Sequence, residues 1–166
     1  MANETMQMSA AGMVALRQRE QVTLRYYNDV ANNCTYGVGT LVHHGPCTAE
    51  ELRRTVTIAD VNAQLAARVR SAEATVRQHV RNHQLTQDQF DALVSFTFNT
   101  GPRGARTTLN TANRGAFREV VTHMNNNVYI HRRDEHGRRR APVRSHGLVN
   151  RRREETRPFL AQQVGQ

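Results

Sequence analysis

Two acidic side chains and a hydroxyl follow one another at short intervals near the start of the sequence. Glu20 is followed nine residues later by Asp29, and Thr35 comes six residues after that. Two carboxyl groups in different environments can cleave a glycosidic bond, because one must be protonated and the other ionised. The stretch therefore has the groups that glycoside hydrolysis needs, but two acids at this interval are ordinary in soluble proteins and do not predict that activity by themselves.

The elements predicted around these residues place the two acids in different surroundings. Glu20 is expected at the end of a first helix, where the negative end of the helix dipole disfavours a carboxylate and raises its pKa. Asp29 opens a predicted turn over residues 29–33, because Asn and Asp tolerate turn backbone angles. There it should stay ionised. This difference in pKa would make Glu20 the acid and Asp29 the charged partner.

A strand is predicted directly after Thr35. Apolar or β-branched residues alternate at positions 36, 38, 40 and 42, which predicts one strand with Gly37 and Gly39 on its other face. Glycines on one strand face leave room for a ligand against the backbone. Gly37 and Gly39 are therefore candidate substrate-binding residues.

The segment from Glu20 to Gly39 resembles the catalytic segment of the phage-type lysozymes, the endolysin family of muramidases. Glu20, Asp29 and Thr35 match the Glu–Asp–Thr catalytic triad of that family at its intervals, and Gly37 and Gly39 match its Gly-x-Gly strand. The sequence departs from the family pattern at Gln21, Asn32 and Thr40, where the family has Gly, Gly and often His.

Two further segments carry the same resemblance, in the same order along the chain. Residues 91–101, Asp-Ala-Leu-Val-Ser-Phe-Thr-Phe-Asn-Thr-Gly, are similar to a signature of the family's second lobe. Asn99 in that segment is either a residue that ends the helix or a residue that contacts substrate. The start of the family's final helix is similar to residues 147–154, Gly-Leu-Val-Asn-Arg-Arg-Arg-Glu. The resemblance implies that one arginine of this helix pairs with acids near Glu20, and Arg151, Arg152 and Arg153 are equal candidates.

Helical periodicity accounts for most of the rest of the chain. A long amphipathic helix is expected over about 58–81, with its arginines facing water, followed by an apolar core helix that ends at Gly101-Pro102. Thr48, Thr57 and Thr86 each stand three residues before Glu, Asp or Gln, which is typical of helix N-caps. Shorter helices are expected around 107–110 and 116–124, and a surface loop over 135–146.

These elements and the resemblance predict an α+β, mostly helical, lysozyme-like fold. It would be a single domain over 1–166 with two lobes and a cleft between them. The small sheet-bearing lobe would span about 18–60, the connecting helix about 58–81, and the helical lobe about 85–162 together with the N-terminal helix. One domain of 166 residues is long enough to bury a sizeable core.

Charge and composition indicate the partners. The formal net charge is +9, and every basic residue is Arg, which predicts attraction to polyanions such as an acidic cell envelope. Residues 131–157 hold ten Arg against four acids, a net of +6 (10 − 4). We expect this Arg-rich segment to bind the anionic envelope. No apolar run is long enough for a membrane helix, and residues 1–16 lack the pattern of a signal peptide.

Two cysteines, Cys34 and Cys47, flank the predicted strand. A disulfide would require Cα atoms within about 7 Å, and free thiols are the more frequent state in a chain that is not exported. We therefore expect free thiols. Pairs of His at positions 43–44 and at 79 and 83 come without a metal-site spacing, so the sequence predicts solvent-exposed histidines, no metal site and no cofactor.

The resemblance implies a cofactor-free muramidase that hydrolyses the β-1,4 bond between N-acetylmuramic acid and N-acetylglucosamine. It also implies inversion, and it leaves open whether Asn99 contacts substrate. We further expect a monomer that stays in the host cytoplasm until a holin perforates the membrane. The alternative is an Arg-rich nucleic-acid-binding protein. Few aromatic residues, no Trp and no known reader motif disfavour that alternative.

Overall fold

The computed structural model describes residues 1–20, 22–132, 134 and 136–160. Gln21 and the last two residues of the expected helical lobe, 161–162, lie outside this range, as does residue 135 of the expected surface loop. The described chain forms two compact units. The sheet unit comprises Glu20–Ala67 and Tyr129–Arg144. The helical unit comprises Met1–Arg19, Arg68–Val128 and the described residues from Ser145 onward.

The sheet unit is built on three antiparallel strands in the order β1-β2-β3. They are β1 (Thr23–Asn28), β2 (Cys34–Gly37) and β3 (Thr40–His43). Thr35 of β2 pairs with Tyr27 of β1 and with Leu41 of β3. A short 3-10 helix follows at Glu51–Arg53, and a second pair of strands, β4 (Tyr129–Ile130) and β5 (Val143–Arg144), belongs to the same unit.

The single strand predicted over positions 36–42 is wrong. The chain reverses at Val38-Gly39 between β2 and β3, and both Gly37 (φ 62°) and Gly39 (φ 74°) have positive φ. Residues with side chains rarely adopt that backbone region, so these glycines make the turn. The period-2 pattern continues across the reversal, which is why the sequence alone suggested one strand.

Five helices make up the described remainder of the fold. They are α1 (Ala10–Arg19), α2 (Ile58–His79), α3 (Gln87–Asn113), α4 (Phe117–Asn126) and α5 (His146–Leu160). The expected α+β, mostly helical class is confirmed. Within α3, Gly101 has non-helical angles (φ 76°, ψ 165°), so the predicted end of a helix at Gly101-Pro102 is observed as a kink.

The long helix α2 buries the apolar stripe that the sequence predicted. Its first ten residues belong to the sheet unit and the others to the helical unit. The prediction that its arginines face water is wrong at two positions. Arg68 stacks over Phe98 at 4.1 Å from the ring centre, and Arg77 donates a 2.7 Å hydrogen bond to the Met6 carbonyl. Long Arg side chains can cover apolar surface while their charge finds a partner.

The core of the helical unit is centred on the first half of α3. Its apolar side chains are buried on nearly all sides: Phe90, Ala92, Leu93, Val94, Phe96 and Phe98. Thr86 caps the helix with reciprocal hydrogen bonds to Gln89, which confirms the predicted capping box. In the part of the chain that the structure describes, every helix is too short or too polar to traverse a lipid bilayer.

Candidate active site

Asp29 is fixed by the turn that it begins. Its backbone N–H donates to the Asn33 carbonyl at 3.0 Å, and its own carbonyl accepts from Asn32 N–H at 2.9 Å. Its carboxylate oxygen Oδ1 accepts two further backbone hydrogen bonds, from Ala31 at 2.8 Å and Asn33 at 2.9 Å. Asn32 takes the left-handed conformation (φ 59°), which Asn tolerates better than most residues. The predicted turn is confirmed, and it holds one oxygen of Asp29 in place.

Thr35 presents its hydroxyl to the other oxygen of that carboxylate. The side chain is buried on β2, and Oγ1 lies 3.3 Å from Asp29 Oδ2 and 3.2 Å from the Asn33 carbonyl oxygen. A hydroxyl has one proton, so it donates to only one of these two acceptors at a time or shares the proton between them. The structure therefore brings together two of the three residues that the sequence singled out.

Glu20 is the first residue after α1 and is half-buried. It belongs to the sheet unit together with Asp29 and Thr35. The preceding residue, Arg19, is held in the helical unit: its Nε and Nη2 lie 3.0 and 2.8 Å from Glu154 Oε2, and its Nη1 donates to Ser95 Oγ at 3.2 Å. The residue next to the candidate acid is thus anchored by three hydrogen bonds.

The side of Gly37 where a side chain would stand is filled by helix α2. A Cβ atom at Gly37 would lie 2.8 Å from Gln64 Oε1 and 3.4 Å from Val61 Cγ2. Gln64 Oε1 also accepts a hydrogen bond from Thr40 Oγ1 at 3.1 Å. The absence of a side chain at Gly37 therefore serves the close approach of α2, which corrects our inference that this space is left for a ligand.

Asn99 belongs to the helical unit and is exposed. Its carboxamide oxygen accepts a 2.5 Å hydrogen bond from Nη2 of Arg152 on α5. The guanidinium of Arg152 also lies 4.7 Å from the centre of the Phe96 ring. Asn99 therefore lies at the end of the core-helix segment, and its side chain is hydrogen-bonded to α5.

Arg151 and Arg152 face the interior of the helical unit, where both pair with the carboxylate of Glu155. Arg151 Nε lies 2.9 Å from Oε1, Arg152 Nη1 lies 2.6 Å from Oε2, and Ser95 Oγ donates to Oε1 at 2.6 Å. Burial lowers the pKa of the Arg152 guanidinium. Of the three arginines that the sequence left equal, Arg153 alone is exposed.

This network corrects the view of residues 131–157 as one basic surface. The sequence signal that could have revealed it is the helical spacing of Arg151 and Arg152, four and three residues before Glu155. The exposed arginines of the segment are concentrated instead before α5, at positions 132, 138, 139, 140 and 144.

Cys34 and Cys47 form a disulfide, so the expectation of free thiols is wrong. Their Cα atoms lie 4.5 Å apart, well within bonding reach. Cys34 is placed by a 2.7 Å hydrogen bond from its N–H to the Gly45 carbonyl, and Cys47 by a 2.7 Å hydrogen bond from its N–H to Asn28 Oδ1. These contacts link strand β2 to the loop after β3. They form only when the chain folds, so the sequence alone did not reveal the disulfide.

His43 and Glu51 form an ion pair beside the disulfide, with His43 Nε2 at 3.2 Å from Glu51 Oε1. The pKa of His43 is raised, first by its hydrogen bond to the His44 carbonyl and then by Glu51. The pKa of Glu51 is lowered, first by the hydrogen bond from Thr48 N–H and then by His43. The predicted Thr48–Glu51 capping bonds are present, but they open only three residues of 3-10 helix.

The mostly helical fold and the carboxylate–hydroxyl pair on a small antiparallel sheet agree with the lysozyme class of glycoside hydrolases that the sequence resemblance implied. Comparison with known families supports this class: the profile described as "Phage lysozyme" matches residues 17–155. The chain therefore belongs to the phage lysozyme family. It is a peptidoglycan-hydrolysing endolysin, and the nucleic-acid-binding alternative is not supported.

Solved structures with similar folds agree with this assignment. An endolysin from Escherichia coli O157:H7 phage FAHEc1 is 29% identical, with a TM-score of 0.73 over 95% of this chain and 96% of that chain. The muramidase domain of SpmX from Asticaccaulis excentricus is 26% identical, with a TM-score of 0.70 over 93% and 97%. A variant of P22 lysozyme is 26% identical, with a TM-score of 0.66 over 94% and 99%. A sequence search of curated proteins finds no match.

Proposed function

We propose that this endolysin is a muramidase that hydrolyses the β-1,4 bond between N-acetylmuramic acid and N-acetylglucosamine. Glu20 acts as the general acid, and Asp29 and Thr35 act on the attacking water. The observation that carries the proposal is the fixed pair formed by Asp29 Oδ2 and Thr35 Oγ1, 3.3 Å apart. Asp29 Oδ1 already accepts two backbone N–H groups, so Oδ2 is the oxygen oriented toward the hydroxyl.

The pair is suited to holding a water molecule in one orientation. When the Thr35 hydroxyl donates its proton to the Asn33 carbonyl, 3.2 Å away, its lone pairs accept a hydrogen from water. Asp29 Oδ2 accepts the other hydrogen. A water held at both hydrogens directs an oxygen lone pair outward, toward the anomeric carbon of a bound sugar.

The reaction needs one acid and one base. Glu20 donates its proton to the leaving glycosidic oxygen while the bond from that oxygen to the anomeric carbon breaks. The water attacks the opposite face of the sugar and gives a proton to Asp29. Both carboxyl groups then return to their starting states by proton exchange with solvent, and the step uses no cofactor.

This single displacement inverts the anomeric configuration. Inversion requires room for the water, which corresponds to carboxyl groups about 6.5–9.5 Å apart, against about 5–5.5 Å for retention. Proton NMR of the first product from a β-linked substrate measures the outcome. We expect the α-anomer first, and early accumulation of the β-anomer would contradict a direct attack by water.

Glu20→Gln tests the role of the acid. The amide has nearly the same shape as the acid but cannot donate the catalytic proton, so hydrolysis of purified peptidoglycan should fall by about 10²–10⁴-fold. The matched control is Glu119→Gln, which changes an exposed acid of the helical unit by the same atoms and should retain full activity. Both variants should keep the wild-type circular dichroism. Substantial activity in Glu20→Gln would exclude Glu20 as the acid.

The proposal extends to substrate contacts. The exposed backbone of Gly39 would contact the sugar chain, and so would Asn99, whereas Gly37 is buried against α2. Support for Asn99 is its exposure together with the hydrogen bond from Arg152, which orients the carboxamide. Asn99→Ala should raise KM more than it lowers kcat if the side chain binds substrate.

The last element of the proposal is delivery. The monomeric enzyme would remain in the host cytoplasm until a holin perforates the membrane, and it would then reach the wall and bind the anionic envelope through exposed arginines. Membership of the phage lysozyme family, shown by the match over residues 17–155, supports this order of events. Expression of this chain by itself in a Gram-negative host should leave culture density unchanged until chloroform is added. Lysis without a permeabilising agent would contradict it.

A further inference from the structure

Four side chains with metal-binding chemistry meet beside strands β2 and β3. Cys34 Sγ, a ring nitrogen of His43 and a Glu51 carboxylate oxygen all lie within 4.8 Å of one another, and Cys47 Sγ is bonded to Cys34 Sγ. Successive side chains on a strand point to opposite faces, so Cys34 and its neighbour Thr35 face different sides of the sheet. The cluster is therefore distinct from the candidate active site.

The spacing of these atoms matches the needs of a small tetrahedral ion. Ligand atoms around zinc at bond lengths of about 2.0–2.3 Å are separated from one another by roughly 3.3–3.8 Å. His43 Nε2 lies 3.2 Å from each oxygen of Glu51, and Cys34 Sγ lies 3.8 Å from Glu51 Oε2. The distances from Glu51 to the other two donors thus already match such a site, and all three donor atoms lie within 4.8 Å of one another.

Neighbouring backbone groups orient two of these donors. His43 Nδ1 is 3.1 Å from the carbonyl oxygen of His44, and a carbonyl only accepts, so Nδ1 carries the proton and Nε2 is the nitrogen that can bind a metal. Glu51 Oε2 accepts a 2.7 Å hydrogen bond from Thr48 N–H. Backbone partners of this kind set the tautomer and the direction of metal ligands.

We propose that the reduced form of this protein binds one Zn²⁺ ion through Cys34, Cys47, His43 and Glu51. Two equivalents of a thiol reductant convert the disulfide to two cysteine thiols, and the reductant leaves as its own disulfide. Zn²⁺ then replaces the two thiol protons and the Nε2 proton that His43 carries in its ion pair with Glu51. Two thiolates, an imidazole and a carboxylate are a donor set that zinc favours.

The two states exclude each other, because sulfurs bonded to one another are not thiolates and do not serve as such ligands. Under reducing conditions, the bound Zn²⁺ would connect β2 to the loop at Cys47, as the disulfide does in the oxidised protein. Access is available from one side: Cys34 is fully buried, whereas the His43 side chain is 41% exposed. This inference does not depend on the reaction proposed above.

Metal titration of the full chain in both redox states tests the proposal. The reduced protein should bind one Zn²⁺ per chain in competition with a chromophoric chelator, and the oxidised protein should bind none. Co²⁺ as a substitute should give a thiolate-to-metal charge-transfer band only after reduction. If reduction loosens the sheet, Zn²⁺ should restore the circular dichroism of the oxidised protein.

Variants identify the donors. His43→Ala and Glu51→Ala should each weaken zinc binding by at least about tenfold. His44→Ala is the matched control, since it removes the adjacent exposed imidazole and should leave binding unchanged. The proposal is overturned if the reduced wild type binds zinc no more tightly than the Cys34→Ser/Cys47→Ser variant, or if its Co²⁺ complex lacks the thiolate band.

Discussion

Arg152 and Glu155 form an ion pair inside the helical unit, with Nη1 2.6 Å from Oε2 and side chains 1% and 0% exposed. The pair does not stand by itself, because Glu155 also accepts from Arg151 and from Ser95. Two buried guanidinium groups therefore share one buried carboxylate, and Arg152 extends the network to Asn99 at the end of the core-helix segment. Loss of that carboxylate would leave both positive charges without this partner.

The first prediction follows from this arrangement. Glu155→Gln should lower the free energy of unfolding by about 3–5 kcal/mol, because it leaves buried charges uncompensated. Its neighbour provides the control: Glu154 is 48% exposed and pairs with Arg19, so Glu154→Gln should cost less than about 1 kcal/mol. Urea unfolding of both variants measures the difference. Equal losses would show that burial of the network contributes nothing.

Thr35 is expected to matter through its hydroxyl. Thr35→Val keeps the shape of the side chain but removes the oxygen that lies 3.3 Å from Asp29 Oδ2, so kcat on peptidoglycan should fall by about 100-fold. Thr35→Ser retains the hydroxyl and should recover most of the activity. Failure of Ser to exceed Val would indicate that the methyl group and its packing, rather than the hydroxyl, are what the site needs.

Reduction of the disulfide should destabilise the fold. Cys34 and Cys47 are separated by 13 positions, and closing a loop of about that length stabilises a protein by about 3 kcal/mol. Urea unfolding with a reductant and a metal chelator should show this loss relative to the oxidised protein. The Cys34→Ser/Cys47→Ser variant should unfold at the same urea concentration with and without reductant.

Asp60 should make stability depend on pH. Its pKa is lowered from 3.8 because the Thr57 hydroxyl, 2.6 Å away, and the Thr57 N–H donate to the charged form. A carboxyl whose pKa is lower in the folded state stabilises the fold above its unfolded pKa, and that contribution is lost as pH falls through the folded pKa. The free energy of unfolding of the wild type should therefore decrease as the pH falls from the unfolded pKa of Asp60 through its folded pKa.

The control for this prediction is Asp60→Asn, which keeps an oxygen acceptor for Thr57 but cannot titrate. Unfolding free energies of both proteins should be measured at pH values on either side of 3.8. The difference between wild type and Asp60→Asn should shrink as the pH falls. A constant difference would show that the charge of Asp60 does not contribute.

The exposed arginines before α5 should control binding to cells. Arg138 pairs with Asp134 at 2.9 Å, and Arg139 and Arg140 are exposed beside it. Salt screens exposed charges beyond about 8 Å at physiological ionic strength, so activity on whole cells should fall as salt rises. Replacing the three arginines with Gln should flatten that dependence.

A matched variant separates this effect from net charge. Three exposed arginines of the helical unit, Arg103, Arg106 and Arg118, can be replaced with Gln for the same change in charge. That variant should keep the salt dependence of the wild type. Identical salt profiles in both triple variants would mean that the arginines at 138–140 have no special role.

The sequence by itself determined the features that depend on local chemistry. The intervals between Glu20, Asp29 and Thr35 predicted the family, which the profile match confirms, and the turn at Asp29 was predicted from the backbone preferences of Asn and Asp. The capping box at Thr86 and the apolar core helix after it were also predictable, because a helix cap and a helical repeat both depend on residues that are close together in the sequence.

Only the tertiary structure decided the features that join distant residues. The Cys34–Cys47 bond depends on how β2 meets the loop after β3, and the filled space beside Gly37 depends on the approach of α2. The chain reversal at Val38-Gly39 was hidden because side-chain alternation continues through a tight turn. Arg151 and Arg152 carry the same charge as Arg153 in the sequence, yet they are buried because Glu155 and Ser95 meet them in the interior. Burial of a charge is decided by its partners, and those partners are brought together by folding.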